Sequence, residues 1–228
     1  MSVGVGTSTA LTPSVANFGG LKSAVASYVQ GQNLPSVLSD SGVAINAAID
    51  KINTRRWHWL NRVVDLNTVA STRTITLPAD FKMPYALFVL DTSDNEQGRL
   101  AYLIPKMFHD SDFATTDGSP EAYTVRSASD DRALTFSCPP TAAWVATYPQ
   151  VRLHYYARML HFSDDGDTLD DLDVVPELRN FIVWHARSEM ASIRGSQSQL
   201  AYADNRWKSE WVSLVADDND EQSDWGNE

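Results

Sequence analysis

Apolar residues recur along this chain with two different spacings, and the switch between them divides it into three stretches. Leu21, Ala24, Val25 and Tyr28 follow the i, i+3, i+4, i+7 spacing of a helix with one buried face, and Gly31 marks its stop. Beyond a turn at Asn33-Leu34-Pro35, the spacing returns in Ile45, Ala48, Ile49 and Ile52. This predicts a second helix with Arg55-Arg56 as its last turn, where cations oppose the negative end of the helix dipole. After Trp59 the period falls to two. In TRTITLP (72–78) Ile75 and Leu77 share one face, the threonines take the other, and Pro78 ends the strand. ALFVL (86–90) and LAYLI (100–104) are continuous apolar runs, ambiguous by period but short enough to favour strands. AYTVR (122–126), ALTFS (133–137) and VRLHYY (151–156) alternate. Ser93-Asp94-Asn95, Asp117-Gly118-Ser119-Pro120, Ser129-Asp130-Asp131 and Pro139-Pro140 supply turns between them. Short strands with frequent turns predict a sandwich or barrel-like sheet domain.

The helical period resumes after an aspartate run. Pro176 suits a first helical position, Leu178, Phe181, Ile182 and His185 mark one face, and Gly195 offers a stop. A last helix from about Gln197 carries Leu200, Ala203, Trp207, Trp211 and Leu214 in a strong stripe. Two terminal helix pairs with apolar stripes have an evident partner in each other. The expected fold is α+β: a helical bundle from N- and C-terminal helices with an inserted antiparallel β-sandwich or barrel-like domain. The expected limits are a flexible arm (1–18), a helical domain (19–62 and 174–215), an inserted β domain (63–162), an acidic loop (163–173) and an acidic tail (216–228). No internal repeat is present.

Composition narrows the chemistry. With 228 residues, 43 % of them hydrophobic, the chain can bury a core without staples. Cys138 is the only cysteine, which excludes an intrachain disulfide and a thiolate metal cluster. No apolar run reaches the roughly 20 residues of a membrane span, and MSVGVGTSTALTP lacks the features of a signal peptide, so a soluble protein with no membrane partner is expected. The net charge of -11, from 18 Lys+Arg against 29 Asp+Glu, has the wrong sign for tight duplex DNA binding. Much of the excess lies in DDGDTLDDLD (164–173) and ADDNDEQSDWGNE (216–228).

Motifs of catalysis are missing. GVGTST (4–9) lacks the third glycine of a dinucleotide fingerprint and follows no strand, and neither a phosphate-loop lysine, a G-x-S-x-G elbow nor an H-E-x-x-H pair occurs. No catalytic, metal or cofactor-binding residue is assigned, and no cofactor is expected. His154 reads as a polar-face sheet residue beside Arg152, and His185 as part of a helix stripe. The run 164–173 fails the calcium-loop template: with Gly166 in the sixth position, His161 would be first and Leu172 twelfth. It reads as a solvated loop feeding negative charge to the following helix. A pair of carboxylates for glycan hydrolysis is available, as in any acidic protein.

The seven tryptophans are spread over helices and sheet, and most are expected in packing. Trp225 sits in the acidic tail, where it reads as an anchor for a partner. Trp207, Trp211, Leu214 and Trp225 are therefore the candidate docking residues. RRWHWL (55–60) ends a helix and leads into the sheet, so Trp57 and Trp59 read as a joint between the two domains, with Trp59→Ala expected to cost about 3 kcal/mol or more.

Several weak motifs, taken in order, give the chain a resemblance. INAAIDKINTRRWHWL, LPADF (77–81), GSPEAYTV (118–125), LTFSCPP (134–140), VRLHYYAR (151–158), VPEL (175–178) and a last amphipathic helix resemble, over about residues 21 to 215, the head-to-tail adaptors of tailed bacteriophages, also called head-completion or connector proteins. The resemblance implies a structural virion protein of the neck, made in the host cytoplasm and without catalytic residues. It implies a ring, usually of twelve copies, docked under the portal protein with the sheet domains toward tail nozzle, tube or fibre proteins. Genomic DNA would pass through without specific binding, and an acidic ring would let it slide. Two alternatives stand beside it: a carbohydrate-binding or glycan-hydrolysing β-sandwich protein, and a stopper or terminator ring of the phage tail.

Overall fold

In the computed structural model, described for residues 17–31, 34–111, 113, 115–128, 131–168 and 176–224, the chain divides into two compact units. One comprises Met1–Arg55 with Met159–Glu228, the other Arg56–Arg158. In chain order, helices precede and follow a region of antiparallel sheet, the α+β arrangement expected.

The first unit is helical. Helix α1 (Phe18–Tyr28) starts at Asn17, whose side chain accepts the Gly20 N–H at 2.8 Å, a cap that satisfies one of the orphan donors of a helix start. Helix α2 (Pro35–Asn53) has no such cap and begins instead with proline, whose missing N–H costs nothing there. Helices α5 (Pro176–Arg194) and α6 (Gln197–Asp224) form a hairpin around Gly195. A Cβ at Gly195 would stand 2.7 Å from the Ala191 Cα, so this turn admits no side chain. α1 packs on α2 and α5, α2 on α5, and α5 on α6. Leu21, Val25, Ile45, Ile49, Ile52, Phe181, Ile182 and Met190 are fully buried. The first and last helices also meet directly: the Tyr28 hydroxyl donates to the Gln199 carbonyl at 2.7 Å, and Gln199 Nε2 returns a bond to the Tyr28 carbonyl at 2.6 Å.

The segment that follows the sheet region is tied to α2 by two asparagines. Asn53 exchanges two 2.9 Å hydrogen bonds with the backbone of Met159, and Asn46 two of 3.1 Å with Phe162. Both are amide side chains imitating a strand partner, and they bring Phe162 onto Phe18, ring centroids 4.8 Å apart. Asp167 accepts the backbone N–H groups of Ser163 and Asp164, and Asp165 pairs with Lys22. This described part of the acidic run is thereby folded against the start of α1. The remainder of the run, the arm before residue 17 and Trp225 lie outside the described residues.

Two helix ends differ from expectation. α2 stops at Asn53, and Thr54 and Arg55 close it with i→i+3 bonds to Lys51 and Ile52, so Lys51 is the basic residue of the last turn. α6 does not stop near residue 215: its backbone continues to Asp224, through about two thirds of the expected tail. The buried carboxylate of Asp218 explains the continuation, because Arg55 Nη2 meets it at 3.2 Å and Asn219 Oδ1 at 2.7 Å. Polar composition predicts a tail, and a tertiary ion pair overrides it.

The second unit holds two four-stranded sheets. The first, in the order β1-β8-β3-β4, is built from β1 (Asn61–Asn67), β8 (Gln150–Ala157), β3 (Phe81–Leu90) and β4 (Glu96–Arg99), all antiparallel. The second, β2-β7-β6-β5, comprises β2 (Thr74–Thr76), β7 (Asp131–Phe136), β6 (Ala122–Ala128) and β5 (Ala101–Tyr102). Its β5–β6 pair is parallel, a departure from the all-antiparallel domain expected. Pro84 lies inside β3 at a register shift, where a strand tolerates a residue without an N–H. Arg132 Nη1 on β7 donates to the carbonyls of Phe81 and Lys82 and so links the sheets. Short helices α3 (Pro105–Asp110) and α4 (Ala142–Thr147) and a 3₁₀ turn at His58–Leu60 complete the unit.

Candidate interaction surfaces

The candidate docking residues are placed by the α5–α6 hairpin. Phe181 on α5 sits among Trp207 and Trp211 of α6, at centroid distances of 6.3 and 5.1 Å, and His185 meets Trp207 edge-on at 5.2 Å. Lys51 of α2 caps the Trp211 ring at 5.5 Å. Leu214 is buried, and both tryptophans are half-buried. Three of the four residues chosen from the sequence thus pack inside the helical unit, and the fourth, Trp225, lies outside the described residues. Burial among rings lowers the His185 pKa, favouring the neutral imidazole.

Asp204 is the polar centre of the hairpin. Its carboxylate accepts from the buried Ser188 hydroxyl across the helices, from Trp207 Nε1 at 3.0 Å and from Lys208 Nζ at 3.0 Å. These donors favour the charged form and hold its pKa at about 2, the Ser188 bond contributing most.

A second cluster joins α1, α5 and α6, and no local spacing announces it. Trp184 meets Tyr28 edge-on at 6.0 Å and Tyr202 at 5.5 Å. The Arg187 guanidinium lies 4.6 Å from the Trp184 centroid and 5.4 Å from that of Tyr28, and Arg206 of α6 lies 5.5 Å from Trp184 of α5. The i, i+3 spacing of Trp184 and Arg187 and the i, i+4 spacing of Tyr202 and Arg206 were legible, but not that they share a corner.

On the sheet unit, β8 alternates as expected: Val151, Leu153, Tyr155 and Ala157 are buried, while Arg152, His154 and Tyr156 stand on the other face. Arg152 grips Asp65 with two bonds, 2.8 and 2.9 Å, which lowers the Asp65 pKa. Glu96 lies 3.6 Å from both Arg152 and His154. His154 therefore stands beside Arg152 in a surface charge network. A cavity of about 530 Å³ is lined by Pro105, His109, Val125 and Arg126. Arg126 and Arg73 both lie against the Phe108 ring next to it, at 5.1 and 5.5 Å. Among the described residues no group of three or more His, Cys, Asp or Glu side chains could hold a metal ion.

RRWHWL splits between the units. Arg55 closes α2 and holds Asp218, Arg56 is exposed, Trp57 is fully buried, and Trp59 is half-buried with its ring 5.6 Å from that of Trp57. The larger buried payload thus belongs to Trp57 rather than to Trp59.

Charge separates along the same division. Residues 1–55 and 159–228 carry 8 Lys+Arg against 18 Asp+Glu, a net of -10, whereas residues 56–158 carry 10 against 11, a net of -1. The acidity of the protein is a property of its helical unit.

No described helix is long and apolar enough to cross a membrane. No curated protein matches the sequence. A family model described as SU10 adaptor protein matches residues 16–226, both halves of the helical unit and the whole of the sheet unit between them. The chain belongs to the SU10 adaptor protein family, a family of structural phage head-to-tail adaptors.

Proposed function

We propose that copies of this chain form a ring, of twelve by the family resemblance, that joins the portal of a phage capsid to the tail and surrounds the path of the DNA. The family match over residues 16–226 carries the reading. The hydrogen-bonded closure of α1 on α6 supports it, because it makes one rigid helical unit from the two chain ends. The charge division supports it further: a helical unit of net -10 turned toward the channel repels the phosphate backbone and lets a genome slide, whereas a basic wall would retain it.

In this reading Trp207, Trp211 and Leu214 serve docking by holding α6 against α5 rather than by touching the portal. Trp57 and Trp59 follow the chain crossing at Arg55 directly and are assigned to fixing the path of the chain into the sheet unit. Mixing purified protein with candidate portal rings and imaging the product tests the function. A ring of adaptor seated on the portal is the expected result. Binding to tail tubes but not to portals would assign the protein to a terminator position, and binding to glycans with no affinity for either would overturn the adaptor reading.

A further inference from the structure

We propose that the arginine and aromatic cluster of α1, α5 and α6 receives the acidic C-terminal segment, residues 216–228, of a second copy of this chain. The inference rests on the ring reading above. A closed ring is built from heterologous contacts, so each copy carries two different patches that complement one another.

The cluster offers cations to a carboxylate. In a unit with 18 acidic residues, Lys22 pairs with Asp165, Arg55 with Asp218, Arg194 with Asp40, Arg206 with Glu210 and Lys208 with Asp204. Arg187 has no carboxylate among the described residues: its contacts are the rings of Tyr28 and Trp184 and the Ala24 carbonyl at 3.2 Å. Burial lowers its pKa, and the ionisable groups that face it are the phenols of Tyr28 and Tyr202. Beside it, Tyr202 is 55 % exposed, and the Arg206 side chain is 38 % exposed. Arg187, which no described carboxylate meets, and Arg206, whose Glu210 partner is an i, i+4 surface pair, flank an open aromatic edge that takes carboxylates on the cations and an aromatic side chain on the rings.

The segment has the matching chemistry. ADDNDEQSDWGNE contains Asp217, Asp220, Glu221, Asp224 and Glu228 besides the engaged Asp218, no Lys or Arg, and one tryptophan, Trp225. It cannot serve its own cluster. Tyr202 and Asp224 lie on one continuous helix, α6, and are separated along it by 22 residues or about 33 Å. Four further residues span about 14 Å at full extension. The occupant comes from another copy.

A dye-labelled peptide of residues 216–228, titrated onto the full-length protein, tests the contact. Saturable binding is expected, at least tenfold weaker to Tyr202→Ala, at an exposed position, and to Arg206→Glu, at a half-exposed one, with the folding of both checked by far-UV circular dichroism. A peptide with its acidic residues changed to lysine should recover binding to Arg206→Glu and not to the wild type. No binding of the natural peptide, or equal binding by the wild type and both variants, overturns the proposal. Rings of unchanged subunit spacing formed on portals by Arg206→Glu would overturn this contact and leave the ring reading standing. Wild-type protein that seats on no portal would remove the ring reading, while the peptide titration still decides whether two copies meet in this way.

Discussion

Replacing Asp204 by alanine takes one carboxylate from three donors at once. Ser188 is 7 % exposed, so its hydroxyl loses its partner away from water, at about 1–2 kcal/mol. The Trp207 Nε1 bond adds about 1 kcal/mol. The Lys208 pair, i to i+4 on the helix surface, adds about 0.3–0.5 kcal/mol. The expected loss at pH 7 is therefore about 2–3.5 kcal/mol, read as a shift of the urea midpoint by tryptophan fluorescence and circular dichroism. The pH dependence has a definite sign. The folded-state pKa of Asp204 lies below that of the unfolded chain, so its charge stabilises the fold above about pH 4, and this part is lost as pH falls toward 2. Taken alone, the shift is worth about 2 kcal/mol, but the side chain is 36 % exposed, and solvent screening reduces the charge-specific part to about 1 kcal/mol. The gap between wild type and Asp204→Ala should narrow by that amount between about pH 4 and pH 2. Adding Ser188→Ala should recover part of the loss, since both partners are then gone. A loss below about 0.5 kcal/mol at pH 7, or a gap that does not narrow in acid, would refute the assignment of Asp204 as the hairpin's polar centre.

Trp57→Ala should cost about 3–5 kcal/mol and Trp59→Ala clearly less, because only Trp57 is fully buried; equal losses in chemical denaturation would contradict this. Gly195→Ala should destabilise by about 1–3 kcal/mol in thermal unfolding, since its Cβ meets the Ala191 backbone at the α5–α6 turn; an unchanged melting temperature would show that the turn yields. Truncation after Asn219 should leave the chain folded, whereas truncation after Val215 should cost about 2 kcal/mol more by stripping Asp218 from Arg55; indistinguishable unfolding curves would argue against that anchor.

The arrangement of helices and strands was legible wherever one face is buried throughout. The stripe of Ile45, Ala48, Ile49 and Ile52 and the alternation of VRLHYY both correspond to elements with a fully buried side. β1 escaped because its inner residues Arg62, Val64 and Leu66 are only half-buried, which leaves NRVVDLN without clean alternation. β4 escaped because all four of its residues are exposed. α3 and α4, six residues each, are too short for a helical period to show. The docking candidates were legible as an apolar stripe, but a stripe records burial and not the partner that provides it: Phe181 supplies it for Trp207 and Trp211. The cluster around Trp184 depends on Tyr28 and Tyr202, 174 positions apart, and no local pattern could bring them together.

Because the chain leaves the helical unit at Arg55 and returns only at Met159, the two halves of that unit emerge from the ribosome far apart in time. The 103 residues between can fold while α1 and α2 still wait for α5 and α6. The Tyr28–Gln199 clasp and the Arg55–Asp218 pair close last, after translation has nearly finished. Prematurely terminated chains would carry a finished sheet unit and an unfinished bundle, and so would be barred from any assembly that reads the completed bundle.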